Sequence, residues 1–271
     1  MSNTREIDTG TPDLLCRVDE RVCVVTMHRP EARNALTWDM KWALGDLLPE
    51  IDRDASIGCI VLTGAGGAFC SGGDTKRMKN EGRPPSPEQR KHLLRREHRI
   101  VSALYHLTKP TIACVPGPAA GAGLGLALAR DLRLAAESAF FTTAYARLGL
   151  SGDYGASWFL TQLIGTARAR ELMFTSERVS ATEGERLGLV NHVFPDDQLE
   201  KATLDLAHRI AAGPPIALRF MKNNLIRAAK HDLDSMLDLE TERMVDGAQT
   251  NDYLEAMTAF QEKRTPVFKG E

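Results

Sequence analysis

Two glycine-rich stretches and one aspartate set among glycines are the parts of this sequence that could do chemistry. The first stretch lies within Pro110 to Asp131 and contains Ala119-Ala120-Gly121-Ala122-Gly123-Leu124-Gly125. It reads as a short buried strand, a turn at Pro116-Gly117 and then the start of a small-residue helix. A helix that begins with so little side chain exposes backbone N–H groups at the positive end of its dipole. Such groups suit an oxygen that becomes negative during a reaction. Taken alone, these glycines could equally serve close helix packing. The second stretch, Gly64-Ala65-Gly66-Gly67-Ala68-Phe69-Cys70-Ser71-Gly72-Gly73-Asp74, shifts the balance toward chemistry. Its bare backbone could cradle an oxyanion or a phosphate, and Asp74 is placed to cap a helix starting beside it. Asp153, between Gly152 and Gly155, precedes an apolar helical run and has two readings: a helix N-cap, or a catalytic carboxylate at the floor of a pocket.

Other chemistries lose weight on spacing. Gly121-x-Gly123 lacks the third glycine of a dinucleotide fingerprint, and no Gly-x-x-x-x-Gly-Lys occurs. Gly149-Leu150-Ser151-Gly152 breaks the Gly-x-Ser-x-Gly spacing of a serine-hydrolase elbow. The seven histidines show no His-Glu-x-x-His helix and no pairing with cysteine at zinc spacing, so no metal site is expected. Cys16, Cys23, Cys59, Cys70 and Cys114 are odd in number and widely spaced, and they read as small buried hydrophobes.

The elements that would position these residues follow from periodicity. Leu14 to Val18 and Val22 to Met27 predict a hairpin about Asp19-Glu20. A polar loop, His28 to Thr37, leads into a helix with Thr37 as N-cap and Met40, Leu44, Leu47, Leu48 and Ile51 on one face. Cys59 to Thr63 is a strand of the kind buried on both faces of an α/β sheet. Lys76 to Arg99 is strongly charged, and predicts a mobile surface loop followed by a helix from about Pro87 to His106. The apolar side of that helix is Leu93, Leu94, Ile100, Val101 and Leu104. Its basic run, Arg90 to Arg99, is a solvated face or, in a second reading, helps hold a ligand's phosphates. Strands at Leu132 to Ala135 and Ala139 to Thr142 come next, then helices over Ala167 to Phe174 and Ala181 to Leu187 and a strand at Val190 to Phe194. Helices over Leu199 to Ala211, Ile216 to Ala229, Leu233 to Gly247 and Asn251 to Gln261 complete an α/β core (13–195) with an α-helical C-terminal region (196–271).

At 271 residues, 43% hydrophobic and with a net charge of −2, the chain can bury a full core and has no global pull toward nucleic acid or anionic membrane. Met1 to Gly10 is polar and no apolar run is long enough to span a bilayer, so a cytoplasmic protein is expected.

The run Arg29 to Leu36, then Ala68 to Asp74, Ala119 to Gly125, Gly149 to Leu160 and Ala181 to Val193, in this order and spacing, resembles the enoyl-CoA hydratase/isomerase (crotonase) superfamily. The likeness covers roughly Leu14 to Lys269. It implies a spiral of strand-strand-helix (ββα) units with a C-terminal helical region that makes trimers, often paired into hexamers. It also implies an acyl-CoA thioester substrate whose enolate oxyanion is held by two backbone N–H groups, here those of Gly73 and Ala122. The matching loops, Arg33 to Ala35 and the backbone around Ala68, Ser71, Gly72, Asp74 and Gly121, would embrace coenzyme A. No cofactor beyond this coenzyme A portion of the substrate is implied.

The departures narrow the reaction. Hydratases of the superfamily carry two glutamates where this chain has Gly125 and Tyr145. Asp153 instead sits in a setting like that of the ring-opening epoxyphenylacetyl-CoA isomerases, so the resemblance favours double-bond or ring isomerisation with Asp153 as acid/base. Three alternatives stay open: hydration of an enoyl-CoA, hydrolysis or dehalogenation of a thioester using Asp153 and His98, and acyl-CoA binding without catalysis. His98 also reads as a helix-face histidine.

Overall fold

The computed structural model describes residues 4–74 and 86–271. The surface loop expected from Lys76 and any helix starting directly after Asp74 therefore lie outside the described residues. Strands β1 (Arg5–Ile7), β2 (Leu14–Asp19) and β3 (Val22–Met27) pair antiparallel, with Glu20 turning the expected hairpin at a left-handed φ of 51°. Helix α1 (Trp38–Arg53) follows, and the Thr37 side chain accepts the Met40 N–H at 3.1 Å as its N-cap. The five apolar residues expected on its inner face are the five it buries. Strand β4 (Cys59–Gly64) then pairs parallel with β3.

Helix α2 (Pro87–Tyr105) opens on a capping box in which Ser86 and Gln89 exchange side-chain bonds with each other's backbone. Ile100, Val101 and Leu104 are buried as expected, whereas Leu93 and Leu94 are half-buried and Glu97 shares the buried side. Strand β5 (Thr111–Val115), buried at every position, leads through the short β6 (Ala119–Ala120) into α3 (Ala122–Leu128), all seven residues of which are buried. Strands β7 (Leu132–Ala136) and β8 (Phe140–Thr142), helix α4 (Ala156–Thr175), strand β9 (Val179–Ser180), helix α5 (Ala181–Leu187) and strand β10 (His192–Phe194) complete the α/β part. Helix α4 breaks at Gly165 (φ 74°, ψ 165°), so the helix expected from Ala167 is the second half of a longer kinked one.

The main sheet has the order β1-β2-β3-β4-β5-β7-β10, parallel from β3 onward, and β6-β8-β9 form a small second sheet. Parallel strands need both faces covered. Helix α6 (Leu199–Ala211) supplies part of that cover, with Leu199, Thr203, Ala207 and Ala211 buried against the sheet. Helices α7 (Pro215–Ala228), α8 (Leu233–Ala248) and α9 (Asn251–Glu262) follow. Lys222 straps α7 to the core by donating to Lys109 O and Asp131 Oδ2, each at 2.8 Å. All five cysteines are buried free thiols. No described helix is long and apolar enough to cross a membrane.

Candidate active site

The site is built where the loops after β3, β4 and β5 meet. Asn34, fully buried and left-handed (φ 55°), ties the first two together. Its Oδ1 accepts the Arg29 N–H, and its Nδ2 donates to Ala65 O and Ala68 O, all at 2.8 Å. Around it Ser71 N–H donates to Arg33 O (3.0 Å), Ser71 Oγ to Ala32 O (3.2 Å) and Leu36 N–H to Gly72 O (2.8 Å). Arg29 donates to Ala35 O at 2.9 Å and pairs with Asp74 at 3.1 Å. Asp74 thus holds the arginine that braces the loop, while the helix it was expected to cap lies outside the described residues.

The third loop docks by backbone pairing. Phe69 and Cys70 N–H groups donate to Pro118 O (3.1 Å each), Ala120 N–H donates to Cys70 O (2.9 Å), and Gly121 N–H donates to Thr142 O (3.1 Å). A Cβ on Gly72 would stand 2.9 Å from Ala120 O and 3.5 Å from Ala122 N, so the segment carrying Gly73 runs directly beside the start of α3. Gly121 is the N-cap of that helix and offers no side-chain bond. Neither the Gly73 nor the Ala122 N–H has an acceptor among the described residues. Burial pushes the Cys70 thiol up to about 12, so the one cysteine in this loop is no thiolate nucleophile.

Asp153 is not a helix cap. The N-cap of α4 is Gly155, with no side-chain bond, and the Asp153 carboxylate accepts instead from Tyr145 Oη at 2.8 Å through Oδ1. Its Oδ2 has no hydrogen bond among the described residues. Tyr145 is 5% exposed, and its ring lies 3.9 Å from where a Gly121 Cβ would be, which puts the Tyr145–Asp153 pair beside the α3 start. Burial first, and the carboxylate second, push the Tyr145 hydroxyl far above its ordinary range, so it remains a donor. Tyr145 is seated by Ser176, whose Oγ accepts the Ala146 N–H at 3.2 Å and contacts Thr143 Oγ1 at 3.2 Å.

His98 is half-buried and its Nε2 accepts the Tyr154 N–H at 3.3 Å. With that lone pair engaged, His98 serves the loop that carries Asp153. Four further residues meet here that periodicity did not mark. Glu97 Oε2 accepts from Tyr154 Oη at 2.8 Å and pairs with Lys41 Nζ at 3.1 Å, and Asn34 is the buried brace described above. Of these, Asn34 and Tyr154 lie in stretches that the sequence marked, the runs Arg29 to Leu36 and Gly149 to Leu160.

The chain's fold is that of solved structures such as a putative enoyl-CoA hydratase from Streptomyces coelicolor A3(2), with a TM-score of 0.91 at 33% identity and full coverage of both chains. The family model for enoyl-CoA hydratase/isomerase matches residues 17–271. The chain is 35% identical to 1,2-epoxyphenylacetyl-CoA isomerase of Escherichia coli, over 95% of its own length and 98% of the relative's. It is 37% identical to a probable enoyl-CoA hydratase of Rhodobacter capsulatus, over 93% and 96%. The chain belongs to the enoyl-CoA hydratase/isomerase family, with the α/β fold expected for it.

Two variants test this geometry. Asn34→Ala strands three buried backbone partners and is expected to lower stability by about 2–4 kcal/mol in urea unfolding; a loss under about 1 kcal/mol would mean the loops hold without it. At Gly125 a Cβ would lie 2.6 Å from both Tyr154 Cβ and Tyr154 O. Gly125→Glu is therefore expected to lower the melting temperature and to gain no water-adding activity on an α,β-unsaturated acyl-CoA. A stable variant that hydrates would show that the Tyr154 backbone gives way.

Proposed function

We propose that the protein processes an unsaturated acyl-CoA by shifting a double bond, or opening a ring, through a thioester enolate. Asp153 removes the proton from Cα and returns it at Cγ, while the Gly73 and Ala122 N–H groups hold the charge that develops on the thioester oxygen. The observation that carries this reading is the Asp153 carboxylate itself: it is freed from helix capping, held on one oxygen by Tyr145 and, among the described residues, without a hydrogen bond on the other. A single positioned carboxylate suits proton relocation because the proton it takes is the proton it gives back, and no water has to be activated. Two backbone donors aimed at one oxyanion favour the charge-developed state, each worth roughly 3 kcal/mol in comparable sites. The coenzyme A portion would lie along Arg33 to Ala35 and Ala68 to Gly72, whose backbone is fixed by Asn34 and Arg29. No other cofactor enters this scheme.

The engaged Nε2 of His98 weighs against a hydrolytic or dehalogenating role, because its ring nitrogen facing Tyr154 has no free lone pair. Hydration is the reading most in need of exclusion, since relatives carry that name.

Asp153→Asn is expected to cut turnover of a β,γ-unsaturated acyl-CoA by about 100- to 10,000-fold while leaving affinity nearly unchanged. Mass detection across a panel of thioesters accompanies it: isomerisation leaves mass unchanged and hydration adds a water. Near-native turnover of Asp153→Asn, or a product heavier by one water in the native protein, would sink the proposal. The family's trimeric habit also extends to this chain in our reading. Leu225, Leu233, Met244 and Phe260 on α7–α9 are 74%, 71%, 78% and 82% exposed in the single chain, an apolar surface suited to a second copy. Light scattering should give a trimer or a multiple of it; a monomer at micromolar concentration would refute the assembly.

A further inference from the structure

Beside Asp153 lies a buried ionic array that the reaction above does not use. Glu97 on α2 is 3% exposed, and its Oε2 takes both the Tyr154 hydroxyl (2.8 Å) and the Lys41 ammonium (3.1 Å). Its Oε1 has no hydrogen bond, and Arg90 stands 3.9 Å from it. Lys41, on α1, lies 3.8 Å over the Trp38 ring, which stacks on Trp42 at 5.5 Å. Tyr154 is the residue after Asp153 and holds a left-handed φ of 52°, which a side chain of its size adopts only when the surroundings impose it. They do so at three points: Glu97 holds its hydroxyl, His98 holds its N–H, and α3 presents Gly125, which has no room for a Cβ against it.

A buried ion pair is a poor device for stability, because desolvating two charges offsets most of their attraction and an apolar pair of like volume does as well. Its presence next to a candidate base therefore asks for another reason. We propose that Lys41, Glu97 and Tyr154 are positioning residues for Asp153. Glu97 keeps the Lys41 ammonium within electrostatic reach of the Asp153 carboxylate, and its bond to Tyr154 fixes the strained backbone on which the aim of that carboxylate depends. The inference rests on the reading of Asp153 as the proton-transfer group.

Among the described residues, the charged and titratable groups facing Lys41 are Glu97 and Arg90 from α2 and Asp153 from the loop, with the Trp38 ring beneath. Burial lowers the Lys41 ammonium below its ordinary value, and Glu97 and Asp153 partly restore it. Tyr145 and Tyr154 are both pushed upward, and Cys70 to about 12. As pH rises, Lys41 thus gives up its proton, and with it its charge, before these neutral groups give up theirs. Activity that depends on the ammonium is full below the lowered Lys41 value and fades as pH climbs through it.

The test measures kcat and KM across pH 6–10 on the isomerase substrate, or proton exchange at Cα of a saturated acyl-CoA, for native protein, Asp153→Asn, Tyr154→Phe, Lys41→Arg and the double variant Lys41→Met/Glu97→Gln. The double variant leaves no unpaired buried charge, which guards against simple unfolding. We expect kcat to fall about tenfold in the double variant and severalfold in Tyr154→Phe, with KM little changed. The native alkaline limb should be absent from the double variant, and Lys41→Arg, charged throughout, should restore kcat and move that limb upward. A folded double variant with native kcat and the native alkaline limb overturns the inference while Asp153→Asn remains inactive. Asp153→Asn retaining native turnover overturns the reading beneath it and the inference with it.

Discussion

The loops that build this site can lie against one another only because no side chain stands between them. A Cβ on Gly117 would sit 2.0 Å from Gly67 O, one on Gly123 would sit 2.3 Å from Cys70 O, and one on Gly64 would sit 2.2 Å from both Ala68 O and Phe69 O. These are backbone atoms of the neighbouring loop or, for Gly64, of the loop it opens, and no rotamer change relieves such a contact. Backbone brought this close must satisfy itself, and it does so through the Pro118, Cys70 and Ala120 bonds that join the loop after β4 to the loop after β5. Among the N–H groups which that pairing leaves without an acceptor among the described residues are those of Gly73 and Ala122. Their availability is thus a by-product of the crossing, and it is fixed as firmly as the crossing is.

The second constraint is strain, and it gathers around the same place. Arg33, Asn34, Ala144, Tyr154 and Ser176 all have positive φ without being glycine. Each such residue costs on the order of 1 kcal/mol or more and persists only where its neighbours over-determine it. Asn34 is held by three hydrogen bonds, Ala144 lies between the Thr143 and Ala146 contacts to Ser176, and Tyr154 is held by Glu97 and His98. The fold concentrates its awkward backbone where Tyr145 and Asp153 must be aimed and leaves α1, α2 and α6 regular.

This division explains what could be read from the sequence. The inner face of α1, the capping by Thr37, the hairpin and the bounds of α5 and α6 follow from spacing within one element, where period and propensity agree. The two glycine-rich stretches announced themselves by composition. Glu97, Lys41 and Tyr154 could not, because each acquires its meaning from a partner on another element. Glu97 sits among Arg95, Arg96 and Arg99 in a charged run that reads as solvated, yet its side chain points inward to a lysine 56 positions earlier in the chain. Asp153 was legible only as a choice between cap and catalyst. Gly155 and Tyr154 remove the cap from that choice, because their left-handed backbone inserts a turn between the carboxylate and the first N–H groups of α4.

The Tyr145 hydroxyl bears directly on the acid–base role proposed for Asp153. A buried phenol pushed upward by desolvation and by the neighbouring carboxylate keeps its proton, so it donates to Oδ1 and never competes to take a proton from the substrate. A glutamate in that position would bring a second acceptor, able to orient a water against an alkene carbon. A phenol brings a fixed donor that occupies one carboxylate oxygen and leaves the other without a hydrogen bond among the described residues. In the proposed reaction that asymmetry would give Asp153 one working oxygen, which suits taking a proton from one carbon and delivering it to the next but one, since both carbons would be served from a single point.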